Sequence, residues 1–203
     1  RLPHIETTLK SLLMQTMLPK TIYLNLPEFS IREQCAYDIP EQLTRLKMVE
    51  IVRCEDFGPA TKLLPTLTRT APDQRIFVVD DDRIYHANLV EDLVSGIRKW
   101  PEKALGFSGW VVPDDFIDRP TTILSNLFMR PPAPIRCTRL SKPCPIDVLQ
   151  GLSGYCVQPS FFPGNDVMTD YSKAPKAAFY VDDVWISAHC KADKIVIPAQ
   201  KAN

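Results

Sequence analysis

The sequence predicts an α/β fold, an open, mixed and mostly parallel sheet flanked by helices, and three observations predict it. Apolar runs of strand length alternate with stretches whose apolar residues recur at helical spacing. Three consecutive carboxylates, Asp80-Asp81-Asp82, follow directly on the apolar run Ile76-Phe77-Val78-Val79, at a strand end, where open α/β sheets bind ligands. At 203 residues the chain is long enough to bury a full core as one domain.

Taken in order, Ile5, Leu9, Leu12 and Leu13 mark a first helix, and Pro19 stops it ahead of the alternating strand Thr21 to Leu26, which ends at Pro27. Met48 to Val52 reads as a second strand. The loop Glu55-Asp56-Phe57-Gly58-Pro59 leads into a short helix carrying Lys62, Leu63 and Leu64, and Ile76 to Val79 is the third strand. From Ala87 to Trp100, Leu89, Val90, Leu93, Val94 and Ile97 share one helical face, and Ala104 to Phe107 pairs as a fourth strand. Beyond Trp110 the rhythm breaks into Pro-rich loop with a short apolar stretch at Ile123 to Met129. Order returns at Ile146 to Leu149 and Tyr155 to Val157, a helix begins near Asp182, and Ile195 to Ile197 is a last strand. Because the chain enters a helix almost at once, the first strand expected of such a domain would lie upstream of Arg1. The expected division is one domain over residues 1–203, with a ligand-binding half at 1–108 and a second half at 109–203 that holds the Pro-rich loop.

The totals exclude several classes. Twenty-four Lys and Arg balance twenty-four Asp and Glu, so no overall field draws the chain to nucleic acid, and an anionic ligand must be held by local charges. No apolar stretch approaches the roughly 20 residues that span a bilayer, and the start Arg1-Leu2-Pro3-His4 lacks the pattern of a signal peptide. The chain reads as a soluble domain, with the cytoplasm favoured, within a larger polypeptide. The six cysteines have no Cys-x-x-Cys spacing, which argues against a zinc knuckle. Cys54 and Cys156 read as buried thiols; Cys137 and Cys144 are the pair close enough for a local disulfide. Nineteen prolines against seven glycines imply stiff connections, and their clustering between Pro113 and Pro145 marks a functional loop.

Adjacent like charges are unfavourable unless something neutralises them, so the triplet points either to a divalent-metal site or to an acidic turn capping the next helix. The metal reading implies Mg²⁺ or Mn²⁺, hard ions that bridge carboxylates to phosphate oxygens. A second acidic element, Val181-Asp182-Asp183-Val184, places two carboxylates where an apolar run meets a helix start. These are either ordinary helix caps or include a general base that activates a hydroxyl. In Asp56-Phe57-Gly58-Pro59-Ala60-Thr61-Lys62 a turn at a helix start and a lysine one turn in would favour an anion, without the pattern of a P-loop. Gly151 and Gly154 in Gln150-Gly151-Leu152-Ser153-Gly154-Tyr155 either permit close approach to a ligand or form a plain turn. Trp110 and Tyr155 lie close to these elements and either stack on a sugar ring or pack in the core, whereas Phe161, Phe162 and Trp185 read as core. None of His4, His86 and His189 has metal-ligand spacing, and the absence of a Gly-x-Ser-x-Gly elbow leaves serine-hydrolase chemistry without support.

In this combination the chain resembles the GT-A fold nucleotide-sugar glycosyltransferases, especially the inverting family-two-like enzymes. Arg1 to Thr16, with Leu9, Ser11-Leu12-Leu13 and Gln15-Thr16, looks like their first helix, and Pro19 to Leu24 looks like the strand after it. Phe77-Val78-Val79-Asp80-Asp81-Asp82 matches their metal-binding Asp-x-Asp element. Val181-Asp182-Asp183-Val184 is similar to their catalytic-base element, with Asp182 where Glu is more usual, and Gly151 and Gly154 look like the segment that shapes the acceptor pocket. The resemblance implies a GT-A, Rossmann-like fold and metal-dependent, inverting transfer of a sugar from a nucleoside diphosphate sugar, UDP preferred, to a glycan or other acceptor hydroxyl. It implies that Asp80 contacts the nucleoside side of the donor and joins Asp82 at Mn²⁺ or Mg²⁺, that Asp81 supports the metal shell, and that Asp56 and Lys62 help hold the nucleotide. Asp183 would be the general base, and Trp110, Gly154, Tyr155 and Asp182 would line the acceptor side. A further metal ligand that some relatives place near the end of the catalytic domain has no evident counterpart before Asn203. Two alternatives stand beside it: a sugar nucleotidyltransferase, which would carry a Gly-rich basic loop near its start, and a catalytically silent sugar- or nucleotide-binding module.

Overall fold

The computed structural model describes residues 5–117 and 119–199. Helix α1 (Ile5–Leu13) buries Ile5, Thr8, Leu9 and Leu12, the face that their spacing of three and four residues creates. Strand β1 (Ile22–Pro27) is followed by a small antiparallel pair, β2 (Phe29–Ser30) and β3 (Cys35–Ala36), then helix α2 (Glu41–Thr44) and strand β4 (Val49–Cys54). β1 and β4 pair in parallel, from Ile22 opposite Val49 to Pro27 opposite Cys54. A 3-10 turn over Gly58–Lys62 leads into helix α3 (Leu64–Leu67), strand β5 (Ile76–Val78) and helix α4 (Leu89–Lys99). Strands β6 (Ala104–Gly106) and β7 (Ser108–Trp110) precede the Pro-rich connection, which carries helix α5 (Ile123–Phe128) and leads to β8 (Ile135–Arg136). The chain ends with β9 (Cys144–Ile146), β10 (Val148–Leu149), β11 (Tyr155–Val157), α6 (Asn165–Thr169), α7 (Asp182–His189) and β12 (Lys194–Val196).

The largest sheet has five strands in the order β5-β11-β6-β12-β9, and a three-stranded antiparallel sheet β10-β7-β8 stands beside it. The expectation of a mostly parallel sheet is corrected here: within the five strands only β6 and β12 pair in parallel, and the other three pairings are antiparallel. β5, β6 and β12 do run in one direction, as alternation with helices requires. β11 is inserted between β5 and β6 the opposite way. It is reached from β10 by a tight turn at Gly151–Ser153, where no crossover helix exists to restore a parallel course. Strands from before and after residue 108 therefore interleave in one sheet.

Period-two alternation divides the sheet's side chains between two cores. Val78, Tyr155, Val157 and Val196 join Leu63, Leu64, Met168 and Ile186 on one face, while Leu105, Cys156 and Ile195 join Leu12, Leu89 and Leu93 on the other. Burial pushes the Cys156 thiol up to about 12 and the half-buried Cys54 thiol up to about 11. Cys137 and Cys144 are free thiols and form no disulfide. Among the described residues no helix is long and apolar enough to cross a membrane.

Candidate functional site

The acid triplet leaves the end of β5 and is held there by α1. Thr8 Oγ1 donates to the Asp81 carbonyl at 3.0 Å, and the Tyr85 amide donates to Ser11 Oγ at 3.1 Å. Gln15, buried, accepts from the Val90 amide at 3.0 Å and donates to the His86 carbonyl at 2.8 Å; Thr16 adds a bond to Glu91. Ser11, Gln15 and Thr16 of the first-helix motif thus fasten the loop that carries the acids. The Asp80 amide donates to the Tyr85 hydroxyl at 2.8 Å, so a buried phenol sits directly beneath the first acid. The triplet does not cap the following helix, whose cap residue is Asn88.

Asp182 and Asp183 occupy the first turn of α7, where the helix dipole favours negative charge. The cap residue is Val181, with no side-chain cap bond, so neither acid is an ordinary N-cap. The two acidic elements, about a hundred residues apart in sequence, converge on one ammonium. Lys62 Nζ lies 2.6 Å from Asp182, 2.7 Å from Asp80 and 3.4 Å from Asp183, with 18% of the lysine side chain exposed. Where the sequence pointed to a metal ion between the acids, the cation beside Asp80 is this lysine. Burial alone would lower its pKa; the charges of Tyr155, Asp182, Asp80 and Asp183 outweigh that and hold it above the ordinary lysine range. Burial raises the pKa of Asp183, and Asp182 and Asp80 add to the rise against the opposing pull of Lys62 and a Gly151 amide hydrogen bond of 3.1 Å.

Gly151 lets the backbone come close to the ion pair, and a side chain there would have to push aside the tips of Lys62 and Asp80. A Cβ there would fall 2.3 Å from Lys62 Nζ and 2.5 Å from Asp80 Oδ1, inside the ion-pair cluster. Lys62 itself is fixed from behind by Asn25 of β1, whose amide nitrogen donates to the Lys62 carbonyl at 3.4 Å and to Thr66 Oγ1 at 3.0 Å. Asp56 uses both carboxylate oxygens on backbone amides, Gly58 at 2.8 Å and Ile31 at 2.7 Å, and so shapes the loop before Lys62. Gly58 takes φ +59° with the Phe179 carbonyl 2.7 Å from where a Cβ would stand.

These residues line one cleft of about 700 Å³. Of the sequence-predicted set, Asp56, Lys62, Asp80, Asp81, Asp82, Asp182 and Asp183 lie in its wall. Three expected acceptor residues stand elsewhere. Tyr155 is fully buried in β11, packed under Lys62, with no face for a sugar. Gly154, at φ +82°, backs onto Leu89. Trp110 is partly exposed on β7, paired with Val148 and away from the cleft wall. Sequence reasoning missed Tyr85, Asn25 and Phe179, whose roles are backbone and packing contacts that no motif advertises. Asp82 lies 3.6 Å from Arg83 and its side chain is 46% exposed. Among the described residues no group of three or more His, Cys, Asp or Glu side chains could hold a metal ion.

No protein-family model matches the chain, and no curated protein matches it. Solved structures do match in fold. The chain is similar to the crystal structure of Staphylococcus aureus TarS residues 1–349, with a TM-score of 0.52 at 13% identity over 97% of this chain and 55% of that one. It is likewise similar to a longer S. aureus TarS structure, with a TM-score of 0.50 at 13% identity over 97% of this chain and 33% of that one. At such identity the likeness is one of fold, and the chain spans about half the length of the shorter structure.

Proposed function

We propose that the chain is a glycosyltransferase domain that moves a sugar from a nucleoside diphosphate sugar, UDP the expected carrier, to an acceptor hydroxyl with inversion. The observation that carries this reading is Asp183. Its carboxylate lines the cleft together with the acid triplet, its pKa is raised by burial, and it is held in place by a backbone amide and a shared lysine. A carboxylate with elevated proton affinity is suited to general-base work near neutral pH. TarS, whose fold the chain shares, is a glycosyltransferase, which supports the same class.

In this mechanism Asp183 takes the proton of the acceptor hydroxyl as its oxygen attacks the anomeric carbon. The bond from that carbon to the diphosphate oxygen breaks, its electron pair leaves with the diphosphate, and attack from the opposite face inverts the configuration. Lys62 offsets part of the negative charge that Asp80, Asp182 and Asp183 would turn toward the donor, and Asp56 shapes the loop that would hold the nucleotide. Asp80, Asp81 and Asp82 would be the residues to hold a hard divalent ion if one enters with the donor, and Mn²⁺ or Mg²⁺ there would supply neutralisation of charge on the departing diphosphate. Asp182 holds Lys62 beside Asp183, on the wall that the acceptor would approach in this reading.

The test is Asp183→Asn, assayed for sugar transfer and, by calorimetry, for UDP binding. Loss of turnover by at least a hundredfold with UDP affinity retained is the expected result. Turnover equal to the parent would remove Asp183 from the chemistry and favour a binding module.

A further inference from the structure

Helix α5 is built inside out. Its apolar residues Ile123, Leu124, Leu127 and Phe128 fall on one face and are 86%, 67%, 62% and 61% exposed, while Ser125 and Asn126 are the half-buried ones. The helix buries no residue, yet it is carefully terminated. Thr122 and Ser125 form a reciprocal capping box at its start, and Met129 closes its end in the left-handed region at φ +47°. A six-residue helix this short is marginal in isolation, so the sequence specifies it locally without a core to reward it. The same connection also exposes Phe116 and Ile117, at 84% and 54%.

On the C-terminal side of Asp114, Asp115 and Asp118, the stretch that carries this helix is basic. From Arg119 to Lys142 the sequence has five cations and no acid, in a chain of net charge zero. Arg119 is paired with Asp115, which leaves Arg130, Arg136, Arg139 and Lys142 exposed. Two of them are tied to the helix: the Arg130 guanidinium lies 5.8 Å from the Phe128 ring centre, and Arg139 donates to the Asn126 carbonyl at 2.6 Å. An apolar face flanked by long cationic side chains matches a bilayer surface of anionic headgroups, with the rings and aliphatic chains entering the acyl boundary and the guanidinium groups at the phosphates. The length agrees, since six residues rise about 9 Å and can lie in the interface but not cross it.

We propose that the β7–β8 connection, through the exposed face of α5 and its flanking arginines, docks this protein on an anionic membrane surface. This inference is independent of the reading of the cleft.

The experiment is co-sedimentation of the whole chain with vesicles of phosphatidylcholine alone and of phosphatidylcholine doped with phosphatidylglycerol. Partition to the doped vesicles only, weakening as salt is raised, is expected. Leu124→Asp with Phe128→Asp should abolish it, and Arg130→Gln and Lys142→Gln should each lower it about fivefold. Since α5 buries nothing, these variants should melt with the parent; should the double aspartate variant unfold, the two glutamine variants decide. Equal sedimentation with both vesicle types, or variants that bind like the parent, would overturn the proposal. So would a parent dimer that the double variant dissociates while vesicle binding persists, since the occupant of the face would then be a second copy.

Discussion

Lys62 is the residue on which the cleft turns. Three carboxylates, each with less than a third of its side chain exposed, share its ammonium. Taking the cation away leaves them facing one another in a partly dry site, at a cost near the lower end of the 3–5 kcal/mol seen when one partner of a buried pair is removed. Lys62→Met is therefore expected to lower unfolding free energy by about 3 kcal/mol at neutral pH, measured by urea titration. The sign of the pH effect follows from the raised lysine pKa: this stabilisation is present below the ordinary lysine range and fades only as pH climbs through the elevated value. Lys62 also pulls the Asp183 pKa down against burial, so the same substitution should move the Asp183 carboxyl titration to higher pH, read by carbon NMR. At this scale the sequence was legible in part. Asp80 was marked by the unfavourable like-charge triplet, which left a metal ion or an acidic turn open, and Asp182 and Asp183 by their place where an apolar run meets a helix start. That the cation beside Asp80 is a lysine from a third element was illegible, because no local pattern ties residue 62 to residues 80, 182 and 183.

Among the elements, α1 shows how a helix can act on a site it never enters. Its Gln15 satisfies the His86 carbonyl, in the loop between the acid triplet and α4, and the Val90 amide, in the first turn of α4. Gln15→Ala leaves a buried donor without its partner, which costs about 1–3 kcal/mol. The expected outcome is that loss in denaturant unfolding, accompanied by faster amide exchange at Val90. Periodicity marked α1, α4 and β1 in the sequence, and apolar, β-branched runs marked β4 and β5. β2, β3 and β8 have two residues each and β7 only three, too few to show a period, and Ser108 and Gly109 have no strand preference of their own. The direction of β11 was likewise unreadable, since an apolar triplet looks the same whichever way it runs.

For the whole molecule, a net charge of zero hides two opposed regions: a cleft wall rich in acids and a basic stretch from Arg119 to Lys142. A cleft wall that presents Asp80, Asp81 and Asp82 repels a diphosphate unless cations join it, and Lys62 is already committed to carboxylates. Calorimetric titration of UDP is therefore expected to give binding with Mn²⁺ present and at least tenfold weaker binding with EDTA; equal affinity in the two would separate nucleotide binding from any ion.

The order β5-β11-β6-β12-β9 also governs how the chain can reach this state. β5 and β6 both stand against β11, so Ile76 waits for Val157 and Leu105 for Cys156, and the last interior place is taken by Ile195 beside Leu105. A nascent chain that has emerged through residue 150 holds two strands with an empty slot between them and an exposed hydrophobic edge on each. Its loop-closure entropy is repaid only when β11 and β12 arrive, which makes the pairing of this sheet non-local and slow.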